Sequence, residues 1–402
     1  MVLLLRGGAL PDRRRNAARL TVSGLRSTAS AGSGVGYVSG VGDTRGPDPI
    51  VVESESGEQT GNSTVRKPWR RLFRVVRWVC VALLAIVVGA VSISTINHWW
   101  QTPRDKQAIE QSIGPSHRYV EVDGHRMSVA IQGSGPRTIV LMPGLGTPEP
   151  ILDFAPLARR LAEANTVVTV ENFGLGLSDG TDSPRTSEAI VDETRSALTA
   201  LGLNGPYVLM PHSLSGLYAM WWATNHPDEV AAVVGVDDER YTSELAGGAP
   251  EWPGWMSTVT ALGGVRDLIY LDMNTDYLGL AADYRESLGD ANEYTPEQQE
   301  LYLRSYSWVL NSTMLAETAH EVDNVRGIEG ATLPPTMPAM SILASSSLTA
   351  DPEWESSHRA AITNPSIQRV EILDGHHYLF HANASEIAEM TQQFLDEHVQ
   401  PR

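Results

Sequence analysis

The segment Tyr207-Val208-Leu209-Met210-Pro211-His212-Ser213-Leu214-Ser215-Gly216 carries the strongest chemical signal in the chain. It reads as an apolar strand that runs through a serine straight into the helical stretch Leu217–Asn225. A strand that turns directly into a helix forces the turn residue into a tight conformation that presents its side chain, so Ser213 is the candidate nucleophile. Pro211 and Ser215 stand where the G-x-S-x-G pattern has glycines; both are small enough for the turn. The plainer alternative is an ordinary serine-rich turn. A second glycine-rich segment, Glu171-Asn172-Phe173-Gly174-Leu175-Gly176-Leu177-Ser178-Asp179, lacks the G-K-[ST] and G-x-G-x-x-G spacings of phosphate-binding loops, and we read it as structural. The adjacent pair His376 and His377 has no carboxylates at ligand spacing, so no metal site is expected.

From His117 onward, short β-branched runs alternate with helical segments. Tyr119–Val122 and Arg126–Ile131 flank the turn signal Asp123-Gly124. Thr138–Met142, Thr166–Val170, Tyr207–Met210, Val230–Val236, Ala339–Leu343 and Ile367–Leu373 are continuous apolar runs, the pattern of a parallel sheet covered on both faces. Between Asp237 and Pro338 the rhythm breaks for about a hundred residues, rich in Trp, Tyr and Leu at helical spacing, which predicts a helical cap over the sheet's C-terminal edge. Its Trp252, Trp255, Tyr277, Tyr284, Tyr302, Tyr306 and Trp308 are candidates for an apolar acyl pocket or for the cap's own core.

At this point the sequence resembles the α/β-hydrolase superfamily, over about 280 residues from His117 to the C-terminus. The resemblance implies an α/β-hydrolase fold with a mostly parallel central sheet, helices on both faces and a helical cap insertion. In the family, a glycine turn follows the third strand and the residue after the glycine gives a backbone N–H to the oxyanion hole. Here Met142-Pro143-Gly144-Leu145-Gly146 holds that place, with proline where the family commonly has histidine, and Leu145 is the implied donor. Leu214, after the nucleophile, is the second. The family's histidine sits just after the last strand, where Asp374-Gly375-His376-His377-Tyr378-Leu379 stands; spacing to the final helix, Ile387–Phe394, favours His377 over His376.

The acid is ambiguous. Family members place it after either of two strands. After Ala339–Leu343 the expected positions hold Ser345, Ser346 and Ser347, with Asp351 several residues late; after Val230–Val236 comes Asp237 at once. Asp237 is the first choice and Asp351 the alternative. Haloalkane dehalogenases and epoxide hydrolases share the fold but use an aspartate nucleophile, and Ser213 argues against both. The expected activity is a serine hydrolase acting on a small-molecule ester or amide, carboxylic esters first. A peptidase of the iminopeptidase type, a carbon–carbon bond hydrolase and a catalytically silent binding module remain alternatives. No cofactor is implied.

Charge and composition bound the rest. The 402 residues carry 30 Lys+Arg against 48 Asp+Glu, a net charge of −18. That average hides two opposites: residues 1–104 hold 14 basic and 6 acidic residues, leaving 16 and 42 for residues 105–402. An acidic body repels phosphate backbones, so nucleic acid is excluded as the main partner. The one cysteine, Cys80, excludes a disulfide framework.

Residues 1–65 lack apolar periodicity and read as a disordered arm. From Trp78 to Ile96, 19 residues carry no charge, enough at about 1.5 Å each to cross most of a hydrocarbon core of about 30 Å. Arg66, Lys67, Arg70, Arg71, Arg74 and Arg77 precede the run, and Trp99 and Trp100 follow it. Positive charge stays cytoplasmic, so residues 78–96 are expected to form a single-pass span of the cell membrane with the C-terminal domain outside. A cleaved signal peptide, with Val88-Gly89-Ala90 as its cleavage site, and a buried core helix are the alternatives. The expected organisation is therefore an arm (1–65), a basic flank and transmembrane helix (66–100), a linker (101–116), a hydrolase core (117–240 and 336–402) and a cap (241–335).

Overall fold

The computed structural model describes residues 68–248, 252–289 and 292–401. The expected arm, residues 1–65, lies outside the described residues. Helix α1 (Pro68–Ile113) is long and apolar enough to cross a membrane. Its large apolar side chains from Leu72 to Ile96 are exposed, whereas Asp105 and Ile109 are buried. Residues 101–113, expected as a linker, are instead the last turns of this same helix. The reason lies in their packing: Ile109 enters an apolar cluster with Leu152, Leu175, Leu177 and residues between Val265 and Met314, and tertiary burial extends a helix beyond what local composition signals.

Ile86–Arg402 form one compact unit. Its centre is a sheet of β1 (His117–Val122), β2 (His125–Gln132), β3 (Thr138–Met142), β4 (Thr166–Val170), β5 (Tyr207–Ser213), β6 (Val230–Asp238), β7 (Ala339–Ala344) and β8 (Gln368–Leu373). The spatial order is β1-β2-β4-β3-β5-β6-β7-β8. β1 pairs with β2 and β2 with β4 antiparallel, and every later pairing is parallel. The continuous apolar runs are explained by burial on both faces: all seven residues of β5 are buried. One face packs on α4 (Ser187–Ala200) and α5 (Ser215–Asn225), the other on α3 (Ala155–Leu161) and α14 (Leu379–His398), which also pack on each other. A short helix, α2 (Pro150–Asp153), precedes α3.

Between β6 and β7 lie α6 (Ser243–Gly247), α7 (Trp255–Ala261), α8 (Gly264–Thr275), α9 (Leu280–Ser287), α10 (Pro296–Ser305) and α11 (Ser312–Gly327). α10 starts on a capping box: the Thr295 hydroxyl accepts from Gln298 N while the Gln298 side chain accepts from Thr295 N. These cap helices enclose their own cluster, in which Tyr284, Tyr302, Tyr306 and Trp308 are buried. Trp255 and Tyr277 are exposed. After β7 come α12 (Ser345–Ala350) and α13 (Trp354–Ala360).

Candidate active site

Ser213 is the last residue of β5 and Asp237 lies at the end of the neighbouring β6. Both have left-handed backbones, with φ of 56° and 44°. For a residue with a side chain this conformation costs on the order of 1–3 kcal/mol and persists only where surrounding structure fixes it. The pairing of β5 with β6 shifts register between His212 and Ser213, and Glu239 N donates to Ser213 O at 2.8 Å, so the turn is held from the next strand.

Ser215 shows how the turn tolerates a hydroxyl at a customary glycine position. Its Oγ donates to Met142 O at 2.7 Å and accepts from His212 N at 2.9 Å, stitching the end of β3 to the turn. Gly144 crosses directly over that turn. A Cβ there would lie 2.7 Å from Ser213 Cβ and 3.3 Å from His212 Nδ1, so no larger residue fits and the backbone of Leu145 follows close to the serine.

The loop between β8 and α14 carries both histidines. His376 is exposed. His377 Nδ1–H donates to Asp237 Oδ2 at 2.6 Å. Asp237 is fully buried, and its carboxylate accepts three further hydrogen bonds: from Ser347 Oγ at 2.5 Å, from Ala344 N at 2.9 Å and from Trp354 Nε1 at 3.0 Å. The structure thus brings Asp237 and not Asp351 to the histidine. Asp351 Oδ1 accepts from Glu353 N at 2.8 Å at the start of the α13 turn, and Asp351 N bonds back to Ser347 O. The serines at the more usual acid position are explained by the same geometry, because Ser347 supports the carboxylate from β6. With Nδ1 committed to Asp237, His377 Nε2 is a bare acceptor. Nε2 of His377 and Oγ of Ser213 are both buried without a hydrogen-bond partner among the described residues.

Three groups of buried polar side chains near these residues were not foreseen from the sequence. The ring of His212, immediately before Ser213, lies 4.7 Å from the His377 ring at a tilt of 40°, and its Nε2–H donates to His377 O at 3.1 Å. Burial, followed by the charge of His377, pushes its ring well below the usual histidine range, so it is a neutral fixed donor.

One helical turn after His377, His381 Nε2 meets Asp153 Oδ1 at 2.7 Å, and its Nδ1 lies 2.8 Å from Ser287 Oγ on cap helix α9. Ser287 Oγ also donates to Tyr284 O at 2.7 Å. Around this pair, burial and then the Asp153 charge hold the phenols of Tyr284, Tyr294, Tyr302 and Tyr306 above their ordinary range, keeping them as donors. The hydroxyl of Tyr284 and Oδ2 of Asp153 have no hydrogen-bond partner among the described residues.

The third group joins the segment before α2 to the residue after β4. Glu171 accepts from Leu177 N at 2.7 Å and Ile151 N at 3.3 Å, and the fully buried Glu149 carboxyl faces it. Burial first, then the Glu171 charge, raises Glu149 well above the carboxylate range. Lys106 of α1 offsets this charge, lies 5.4 Å over the Trp308 ring, and is itself lowered by burial. No single local motif signals this cluster, because its members come from residues 106, 149 and 171.

No group of His, Cys, Asp and Glu side chains arranged to hold a metal ion occurs among the described residues. A family model described as "Alpha/beta hydrolase family" matches residues 139–390, more than half of the chain. The chain belongs to the alpha/beta hydrolase family. It is 34% identical over 169 residues to YbdG of Bacillus subtilis, an uncharacterised protein, covering 42% of this chain and 50% of that one. It is 28% identical over 124 residues to the 2-(acetamidomethylene)succinate hydrolase of Mesorhizobium japonicum, covering 31% and 43%. The chain thus spans about half or less of the length of these relatives. Among solved structures, a laboratory-evolved variant of potato epoxide hydrolase superposes with a TM-score of 0.56 at 18% identity, covering 70% of this chain and 98% of that one. The Cif epoxide hydrolase from Acinetobacter nosocomialis gives 0.52 at 17%, covering 70% and 88%. At such identities the likeness is one of fold.

Proposed function

We propose that this alpha/beta hydrolase is a serine hydrolase, with Ser213 as nucleophile, His377 as general base and Asp237 as the orienting carboxylate, acting on carboxylic esters. The observation that carries this reading is the coincidence of three features. Ser213 has a left-handed backbone at a strand–helix turn, its Oγ is unpartnered, and His377 presents an unpartnered Nε2 while Asp237 holds its Nδ1–H at 2.6 Å.

His377 Nε2 takes the Ser213 proton as Oγ attacks the substrate carbonyl. The backbone N–H groups of Leu145 and Leu214 stabilise the oxyanion. The imidazolium, stabilised by Asp237, returns its proton to the leaving alkoxide, and a water activated by the same nitrogen hydrolyses the acyl-enzyme. An epoxide hydrolase of this fold would need a carboxylate where Ser213 stands, so the likeness to such structures is not extended to their reaction.

We also infer that α1 anchors the enzyme in the cell membrane. The span is Trp78–Ile96, the basic residues 66–77 lie on the cytoplasmic side and the hydrolase domain lies outside.

The reading is tested with a fluorophosphonate probe on the full chain in membranes: wild type is labelled and Ser213→Ala is not. Equal labelling of the two would end the serine-hydrolase reading. Turnover of short p-nitrophenyl esters against aminoacyl-proline amides then separates esterase from peptidase.

A further inference from the structure

The body of the enzyme meets α1 inside the apolar run, with no spacer between them. In the last turn before Ile96, Ser94 Oγ donates to Leu262 O at 3.1 Å, and Thr95 Oγ1, whose nearer partner is Val91 O at 2.8 Å, lies 3.1 Å from the same oxygen. Leu262 ends the α7 segment, and Gly263, between α7 and α8, lies against the same helix. A Cβ at Gly263 would come 2.8 Å from Ser94 O and from His98 Cβ, and its φ of 85° also favours glycine. The contact is therefore a close backbone approach. At about 1.5 Å rise per residue, Ser94 sits about 3 Å short of the end of the uncharged run. Whatever depth Ile96 has in a bilayer, the α7–α8 corner shares it to within a helical turn.

The surface around that corner has the matching chemistry. Outside α1, eight large hydrophobic side chains are exposed among the described residues, and six of them lie between residues 255 and 278: Trp255, Leu262, Leu268, Leu271, Tyr277 and Leu278. Concentration of exposed apolar side chains in one segment marks an interaction site. The acids of the same stretch are engaged locally: Asp267 pairs with Arg266 at 2.9 Å, Asp276 with Arg285 at 3.2 Å, and buried Asp272 accepts from Gly279 N and Ala281 N, each at 2.9 Å. Trp99 and Trp100, exposed on α1 just beyond the run, are the residue type that settles at the headgroup level.

We propose that the α7–α8 face of the cap is a membrane-docking surface, seated in the interfacial layer of the bilayer that holds α1. This rests on the anchor reading above. The occupant is lipid because Leu262 and Gly263, within this stretch, lie against the apolar run of α1, which fixes the depth of the corner. The cap is thereby the membrane-facing side of the enzyme.

The test uses the full chain in phosphatidylcholine vesicles, with Cys80→Ser as background and an environment-sensitive fluorophore on single cysteines. The labelled positions are Leu268→Cys, Leu271→Cys and, as a water-facing control, exposed Ser366→Cys; native Cys80 reports the anchor. With doxyl-labelled phosphatidylcholine in the vesicles, loss of fluorescence is expected at residues 268, 271 and 80 and not at 366. Quenching at Cys80 with none at 268 and 271 overturns the docking surface while leaving the anchor intact. A blue shift at 268 and 271 without quenching assigns the face to a second protein copy and also overturns it. Absence of quenching at Cys80 removes the anchor, and the docking surface with it.

Discussion

Ser213 ends β5 and Asp237 is the penultimate residue of the adjacent parallel strand β6, and both have left-handed backbones, φ 56° and 44°. The two departures from strand geometry serve one purpose. At Ser213 the chain turns into α5; at Asp237 the carboxylate faces β7 and the His377 loop, where it accepts from Ala344 N and from His377 Nδ1–H. Asparagine tolerates the left-handed region, so Asp237→Asn is a clean probe of charge. Its amide oxygen can still accept from Ala344 and Trp354, but its NH2 meets the Ser347 hydroxyl and the His377 Nδ1, forcing the wrong histidine tautomer. We expect kcat on one ester to fall by about 10⁴, while Asp351→Asn stays within about tenfold of wild type. The reverse ranking would assign the acid to Asp351.

Ser347 is the structural answer to the serine-rich stretch after β7. Its hydroxyl donates to the same oxygen of Asp237 that His377 uses. Ser347→Ala removes one of the four hydrogen bonds that position a buried carboxylate, and a bond to a charged group contributes about 1.5–3 kcal/mol. Only part of that reaches the transition state, so kcat should fall severalfold with KM unchanged. A rise in KM with constant kcat would show that Ser347 contacts substrate instead.

Ser215 separates structure from chemistry two residues from the nucleophile. Ser215→Ala strips a partner from Met142 O and His212 N, both in the sheet interior, and leaving a buried polar group unpaired costs about 1–3 kcal/mol. The variant should keep fluorophosphonate labelling and melt at lower temperature than wild type. Loss of labelling with an unchanged melting temperature would place Ser215 in the chemistry.

The local signals that the sequence carried well were those made by neighbours in the chain: the β5–α5 turn at Ser213, the apolar strands, and the loop holding His377 two residues before α14. What it could not display were partners far apart in number. Asp153 and His381 are 228 positions apart, and Trp354 reaches Asp237 across 117. The choice between Asp237 and Asp351 depended on which strand end faces the histidine loop, a tertiary fact. The helical continuation through residues 101–113 is hidden for a similar reason, because distant partners hold it: Arg304 and Tyr270 engage Asp105, while Lys106 lies over Trp308 near Glu149.

Glu149 supplies a prediction in pH. Burial and Glu171 raise its carboxyl well above the usual range, so the folded protein keeps a proton that the unfolded chain has released. The sign follows: its contribution to stability is fully present below the ordinary carboxylate pKa and is lost as pH rises through the raised folded value. The local slope reaches about 1.4 kcal/mol per pH unit between the two values. Glu149→Gln keeps a neutral side chain of the same shape at every pH and abolishes that slope. The full chain in detergent should therefore show a smaller fall in melting temperature from pH 5 to pH 8 for the variant than for wild type. The remaining carboxylates contribute equally to both proteins and cancel in the comparison. Identical pH dependence would mean that Glu149 is ionised in the fold, with Lys106 as its counter-ion.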